Sequence, residues 1–189
     1  MTHLPRSPAR NHRSLSRRRL LGLGIAAAGA ATLPAWARAA RVPTRRLAFT
    51  HLHTGEELAV TYYAHGRYDA DALGAINHLL RDFRTGDTCP IETALLDQLS
   101  LVHAALGSDA PFQVISGYRS PATNDMLRAR SNGVARRSLH MDGKAIDVRL
   151  ADTRSRRLRE VAAELALGGV GYYPKSDFVH LDVGRPRQW

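Results

Sequence analysis

His140-Met141-Asp142-Gly143-Lys144-Ala145-Ile146-Asp147-Val148-Arg149-Leu150 is the stretch on which the reading of this chain turns. From Lys144 to Leu150 apolar residues alternate with polar ones, the period of a strand. Gly143 marks the turn that enters it, so His140 stands just before the strand and Asp147 lies within it. Downstream, Arg154–Leu167 carries Leu158, Val161, Ala162 and Leu165 at helical spacing, and Gly168-Gly169 follows as a stop. Val170–Tyr173 and Phe178–Val183 then read as a hairpin around Pro174-Lys175-Ser176-Asp177. Upstream, Pro111–Ser116 is a short strand, Ser116–Pro121 a turn, and Ala122–Arg130 a short helix. Further back lie helices over Ala70–Phe83, with Asp69 as N-cap, and over Ile91–Leu106, closed by Gly107. Leu47–Leu52 and Leu58–Tyr63, joined by His53–Glu57, form a first hairpin. Hairpins mixed with helices in one small unit predict an α+β fold, a small antiparallel sheet with flanking helices.

The same stretch carries the chemistry. His140 and Asp147 are followed, some thirty residues on, by Asp177-Phe178-Val179-His180-Leu181-Asp182 entering the last strand. Two imidazoles and a carboxylate are N/O ligands suited to one zinc ion, with a fourth position left for water, as hydrolysis requires. Polar and charged groups interrupting two otherwise apolar strands need partners, and a metal is a good one. Asp177, three residues before His180, is a general base if the turn brings it to that water. Asp182 either orients a ligand histidine or pairs with a nearby arginine. His51 and His53 form another His-x-His pair, but no third ligand stands near them in the sequence and the turn accounts for His53. The cluster Arg154, Arg156, Arg157 and Arg159 reads as a solvated helix face.

The chain has 189 residues, 27 Lys plus Arg against 17 Asp plus Glu, and a formal net charge of +10. Hydrophobic residues make up 44%, enough for a packed core. The single cysteine, Cys89, excludes an intrachain disulfide framework and any multi-cysteine zinc site. The charge is unevenly spread. Residues 1–39 hold seven arginines and no acid, leaving 20 basic against 17 acidic groups, a net of +3, on the other 150 residues. Arg17-Arg18-Arg19, the Gly/Ala-rich run Gly22–Ala31 and the small-x-small sites ending at Ala37 and Ala39 predict a signal peptide of the twin-arginine type. The expected organisation is a signal over 1–39, a linker over 40–46 and one domain over 47–189. The expected destination is the periplasm or cell envelope, with no nucleic-acid partner and no membrane span in the mature form.

His140-x-x-Gly143-x-Ala145-x-Asp147 with Asp177-x-x-His180-x-Asp182 resembles the signature of zinc D-alanyl-D-alanine peptidases and their VanX-type dipeptidase relatives. The resemblance is closer still to the exported YcbK-like murein endopeptidases. It extends to His53–Glu56, Gly66–Tyr68, Ile76-Asn77, Ser116–Pro121 and Arg187–Trp189, and so covers residues 47–189. It implies a Hedgehog/D-Ala-D-Ala-peptidase-like fold and one zinc ion per chain on His140, Asp147 and His180. It also implies Asp177 as the base, where some members carry Glu, and Arg119 as the group that holds the substrate carbonyl and its oxyanion. Ser116, Tyr118 and Ser138 are expected near the pocket. The implied activity is hydrolysis of peptide cross-links in peptidoglycan, best matched to meso-diaminopimelate to meso-diaminopimelate bonds. The alternatives are a D,D-carboxypeptidase or dipeptidase, or a non-catalytic zinc-containing module that binds the wall. The implied partners are peptidoglycan stem peptides and, for the precursor, the twin-arginine export machinery.

Overall fold

The computed structural model describes residues 44–131 and 133–189. The expected signal peptide and most of the expected linker lie outside them. Strand β1 (Arg45–His51) begins two residues inside the stretch read as linker. It pairs antiparallel with β2 (Glu57–Ala64), which pairs with the short β3 (Arg67–Tyr68). Helices α1 (Ala70–Leu79) and α2 (Thr93–Leu106) follow, then β4 (Phe112–Ser116), α3 (Pro121–Arg130) and a single 3-10 turn at Leu139–Asp142. The chain continues through β5 (Ala145–Leu150), α4 (Ser155–Leu165), β6 (Gly169–Tyr173), β7 (Phe178–Asp182) and β8 (Arg187–Gln188). The strands form one eight-stranded sheet in the order β3-β2-β1-β4-β5-β7-β6-β8.

The α+β class holds, but the sheet is larger than expected and mixed rather than antiparallel. β1 pairs parallel with β4, and β6 parallel with β8. The path between β1 and β4 contains two strands and two helices, long enough for the crossover that a parallel pair needs. The last three strands run up, down and up, and β8 lies on the far side of β6, where it must run parallel.

Alternation along the strands sorts the side chains by face. Phe112 and Val114 of β4, Ile146 and Val148 of β5, and Val179 and Leu181 of β7 enter the core. There they meet Leu95, Leu96, Leu99 and Val102 of α2 and Leu158 and Ala162 of α4. Each fully buried leucine adds on the order of 1.5–3 kcal/mol. The residues between them, Asp147 on β5 and His180 and Asp182 on β7, face the opposite side. Asp147 pairs directly with His180 in the register and Ala145 with Asp182. Direct cross-strand partners on one face have neighbouring side chains.

Two helix ends differ from expectation. The Asp69 side chain accepts from Ala72 N–H at 2.9 Å, the N-cap the sequence predicts. Yet α1 stops at Leu79, because the carbonyl of Leu80 is claimed by Tyr118 N–H at 2.7 Å. Helix α4 stops at Leu165, with Ala166 rather than a glycine in the left-handed conformation, φ 50°. The turn following α1 is held by buried Asp82, whose carboxylate accepts from Ser120 N–H at 2.9 Å, Ser120 Oγ at 2.7 Å and Arg84 N–H at 3.0 Å. This anchors Ser116–Pro121. Gly117 fits there because a Cβ would lie 2.5 Å from the carbonyl oxygen of Leu80.

Burial alone would raise the Asp82 carboxyl pKa, but hydrogen bonds from Thr123, Ser120 and Arg84 outweigh it and hold the group below its ordinary value. A depressed folded-state pKa stabilises the fold above the ordinary carboxylate range, and that stability is lost as pH falls through the folded value. Asp82→Ala is expected to cost about 1–3 kcal/mol in urea unfolding at neutral pH, because it strands buried donors. The difference from wild type should shrink in acid.

Candidate metal centre

His140 lies in the 3-10 turn before β5, Asp147 in β5 and His180 in β7, and all three are buried. The β5–β7 register brings the last two together, and the turn closed by Gly143 (φ 66°) folds His140 over them. Their ligand atoms lie within 4.8 Å of one another. His140 Nε2 is 3.2 Å from His180 Nδ1 and 3.3 Å from Asp147 Oδ1, and His180 Nδ1 is 2.9 Å from the same oxygen.

The outer nitrogen of each ring states its tautomer. His140 Nδ1 is 2.7 Å from the carbonyl of Gly117, which can accept but not donate, so Nδ1 carries the proton. His180 Nε2 is 2.9 Å from Asp182 Oδ2 and donates to that carboxylate. In those tautomers His140 Nε2, His180 Nδ1 and Asp147 Oδ1 converge with a lone pair each, an arrangement that a metal cation satisfies. Two neutral imidazoles and a carboxylate, each ring oriented by an outer partner, fit a zinc ion.

The electrostatics agree. Burial works against the Asp147 carboxylate, but the two histidines outweigh it and hold its pKa well below the usual range. Asp182 is fully buried and also strongly depressed: burial opposes ionisation, yet His180 and Arg187 donate to it. Arg187 grips it with both nitrogens, at 2.7 and 3.0 Å, while Gly169 and Gly184 N–H donate at 3.1 and 2.8 Å. Asp182 thus touches the ring of His180 and the guanidinium of Arg187 at once. For His180, burial lowers the ring pKa and the two carboxylates raise it further, so that without a metal a proton is favoured at this centre.

The centre opens into a cleft of about 380 Å³. Arg119 lines it, with a side chain only 12% exposed, and its Nη2 is 3.8 Å from Asp147 Oδ2. Its backbone N–H donates to the carbonyl of His140 at 3.1 Å, and its buried Nε has no partner among the described residues. Burial pulls the guanidinium pKa below its ordinary value, with Asp147 partly restoring it; the group stays cationic. A charged fork buried beside the ligands with an unused donor has the chemistry to meet an anionic or carbonyl oxygen.

Several expected residues fall elsewhere. Asp177 does not join the centre. Its carboxylate accepts from Ser155 Oγ at 2.6 Å and lies 3.6 Å from Arg149 Nη1. The side chain is 66% exposed and lines a separate groove with Tyr172 and residues 150–156. The cause is local: Asp177 takes φ 50° in the β6–β7 turn, and the N-terminus of α4 at Ser155 attracts its charge. Tyr118 packs against the hydrophobic core, not the cleft, and Ser116 is not among the cleft-lining residues; Ser138 is. The His51 imidazole is buried against Phe83, and His53 stacks on the same ring at 4.2 Å.

The cleft also holds residues that the sequence did not single out as site groups. Tyr173, Phe178, Arg187 and Trp189 line it. Alternation in the last hairpin would have found two of them, since Tyr173 pairs with Phe178 and both share the face of His180. Nothing local places Trp189, whose ring centre is 5.2 Å from that of His180.

A buried His-Asp-His centre opening into a cleft beside a buried arginine suits a metallopeptidase. The family described as peptidoglycan L,D-endopeptidase MepK, Peptidase_M15_2, matches residues 39–189, and the chain belongs to that family. The chain is 43% identical over 176 residues to the peptidoglycan L,D-endopeptidase MepK of Escherichia coli strain K12, covering 92% of this chain and 97% of the relative. The Shigella flexneri protein of the same name matches to the same extent. A probable peptidoglycan L,D-endopeptidase MepK from Haemophilus influenzae is 36% identical over 182 residues, covering 95% and 98%.

Proposed function

We propose that this chain is a zinc-dependent murein endopeptidase that hydrolyses peptide cross-links of peptidoglycan, with meso-diaminopimelate to meso-diaminopimelate bonds as its target. The observation that carries the reading is the convergence of three buried ligand atoms on His140, Asp147 and His180 beside the unpaired donor of Arg119. The family membership and the relatives' printed activity support it.

His140, Asp147 and His180 hold the metal, and bound zinc supplies the Lewis acidity that amide hydrolysis needs. The Gly117 carbonyl and the Asp182 carboxylate keep the two rings in the required tautomers. Arg119 receives the carbonyl oxygen and stabilises it as negative charge develops. The cleft around them takes the extended stem peptides on either side of the scissile bond. Asp177 has no part in this scheme, because its carboxylate is spent on Ser155 and Arg149. Asp177→Asn is accordingly expected to change kcat/KM by less than about threefold. A loss of a hundredfold or more with full zinc content would return Asp177 to the mechanism.

Residues 1–39 act as a twin-arginine signal and the residues before β1 as a linker, delivering the domain that starts at Arg45 to the periplasm. None of the helices among the described residues is long and apolar enough to cross a membrane. Fractionation and N-terminal sequencing of the mature form test the export reading. The activity is tested by digesting purified cross-linked muropeptides and mapping the new ends. A free amine and carboxyl at the diaminopimelate link are expected; release of D-alanine alone would overturn the endopeptidase reading in favour of a carboxypeptidase.

A further inference from the structure

Amide hydrolysis places negative charge on a former carbonyl oxygen, and the donors that meet it are most effective when fixed beforehand. Tyr173 is held by two aromatic neighbours. It ends β6, lines the metal cleft, and stacks on Phe178 with ring centres 4.5 Å apart and planes 16° from parallel. Its hydroxyl oxygen lies 3.0 Å from Trp189 Nε1. Trp189 is itself held: its ring lies against His180, the Arg187 guanidinium sits 4.9 Å over it, and its edge fills the space over Gly171. A Cβ on Gly171 would come within 2.6 Å of Trp189 Cε2, so the slot exists because that residue is glycine.

An indole N–H can only donate, so the Tyr173 oxygen is the acceptor in this bond and its own proton is not used in it. Among the described residues no protein acceptor takes that proton. Arg119 lines the same cleft as Tyr173. Asp147 is the one side-chain carboxylate among the described residues lining the cleft, and it is committed to the two histidines. Tyr173 is therefore an oriented hydroxyl with a free proton in the compartment where the reaction is read to occur.

We propose that Tyr173 is a catalytic residue of the peptidase reaction, donating its hydroxyl hydrogen bond to the oxygen that becomes anionic in the tetrahedral stage, and that Trp189 is its positioning residue. The phenolic proton stays on Tyr173 throughout, and no bond to the protein forms or breaks. This inference rests on the endopeptidase reading above.

Tyr173→Phe keeps the stacked ring and removes the donor. On cross-linked muropeptides kcat is expected to fall by about 10²–10³, the cost of one oxyanion donor, with KM within about threefold and zinc content unchanged. A phosphinate isostere of the scissile dipeptide, which mimics the tetrahedral stage, should bind roughly 30-fold or more weakly to the variant, while cleaved product peptides bind equally. Trp189→Phe, which keeps an aromatic ring but lacks the indole donor, should lower kcat by about five- to tenfold, and the double variant should be no worse than Tyr173→Phe alone. Unchanged kcat and phosphinate affinity in Tyr173→Phe, with active wild type, overturn the proposal and leave the peptidase reading standing. An inactive wild type with full zinc overturns that reading and the proposal with it. If Tyr173→Phe does not fold, Trp189→Phe decides: a selective loss of kcat supports the proposal, and wild-type kinetics overturn it.

Discussion

Alanine at His140 is expected to remove zinc and hydrolysis together. The ring supplies one of three ligand atoms, and no other described group stands near enough to replace it. Two ligands cannot hold the ion against dilution, so turnover should drop by on the order of 10³ or more. Metal analysis of the purified variant should find far less than one zinc per chain. Chelation of wild type should abolish activity and added zinc restore it, whereas zinc should not rescue His140→Ala. The fold should survive, because the loss on the protein side is one buried hydrogen bond to the Gly117 carbonyl, worth about 1–3 kcal/mol. Full activity in the variant, or in exhaustively chelated wild type, would rule out the metal mechanism.

Arg119→Met should separate catalysis from metal binding. Methionine keeps the apolar stem and removes the fork. The expected result is a drop in kcat/KM of about 10²–10³, roughly 3–4 kcal/mol of transition-state stabilisation, with zinc content unchanged. Arg119→Lys should recover less than a tenth of the activity, because an ammonium presents no planar fork. Stability should move the other way. A buried guanidinium whose Nε has no partner costs desolvation, so Arg119→Met is expected to unfold no earlier than wild type and by a margin to unfold later. Wild-type kinetics with raised stability would make Arg119 a passive cation, and the carbonyl-binding role would fall.

The success and failure of the sequence reading follow one physical line. Asp147 and His180 are legible because each interrupts an otherwise apolar strand and alternation puts both on the non-core face, and His140 because it stands just before the first of those strands. For Asp177 the same kind of spacing argument meets a turn. Its position three residues before His180 holds, but the turn gives it a positive φ and a helix N-terminus draws its side chain away. Spacing specifies distance along the chain; in a turn, one backbone dihedral decides direction. Tyr118 and Arg119 are neighbours in one turn, and there too adjacency did not say which would enter the cleft and which the core.

What the sequence determined by itself is therefore periodic or compositional: the α+β class, the core stripes of α2 and α4, the N-cap at Asp69, the first and last hairpins, and the residue types of the centre. Each rests on contacts within a few residues, where local geometry has few solutions. What only the tertiary structure decided is non-local. The parallel pairing of β1 with β4, the early end of α1 at a carbonyl claimed by Tyr118, the tautomers imposed by Gly117 and Asp182, and the arrival of Trp189 beside His180 all join segments far apart along the chain or set by a partner elsewhere. Such contacts form where packing and hydrogen-bond satisfaction of the whole sheet allow them, and no local pattern encodes that outcome.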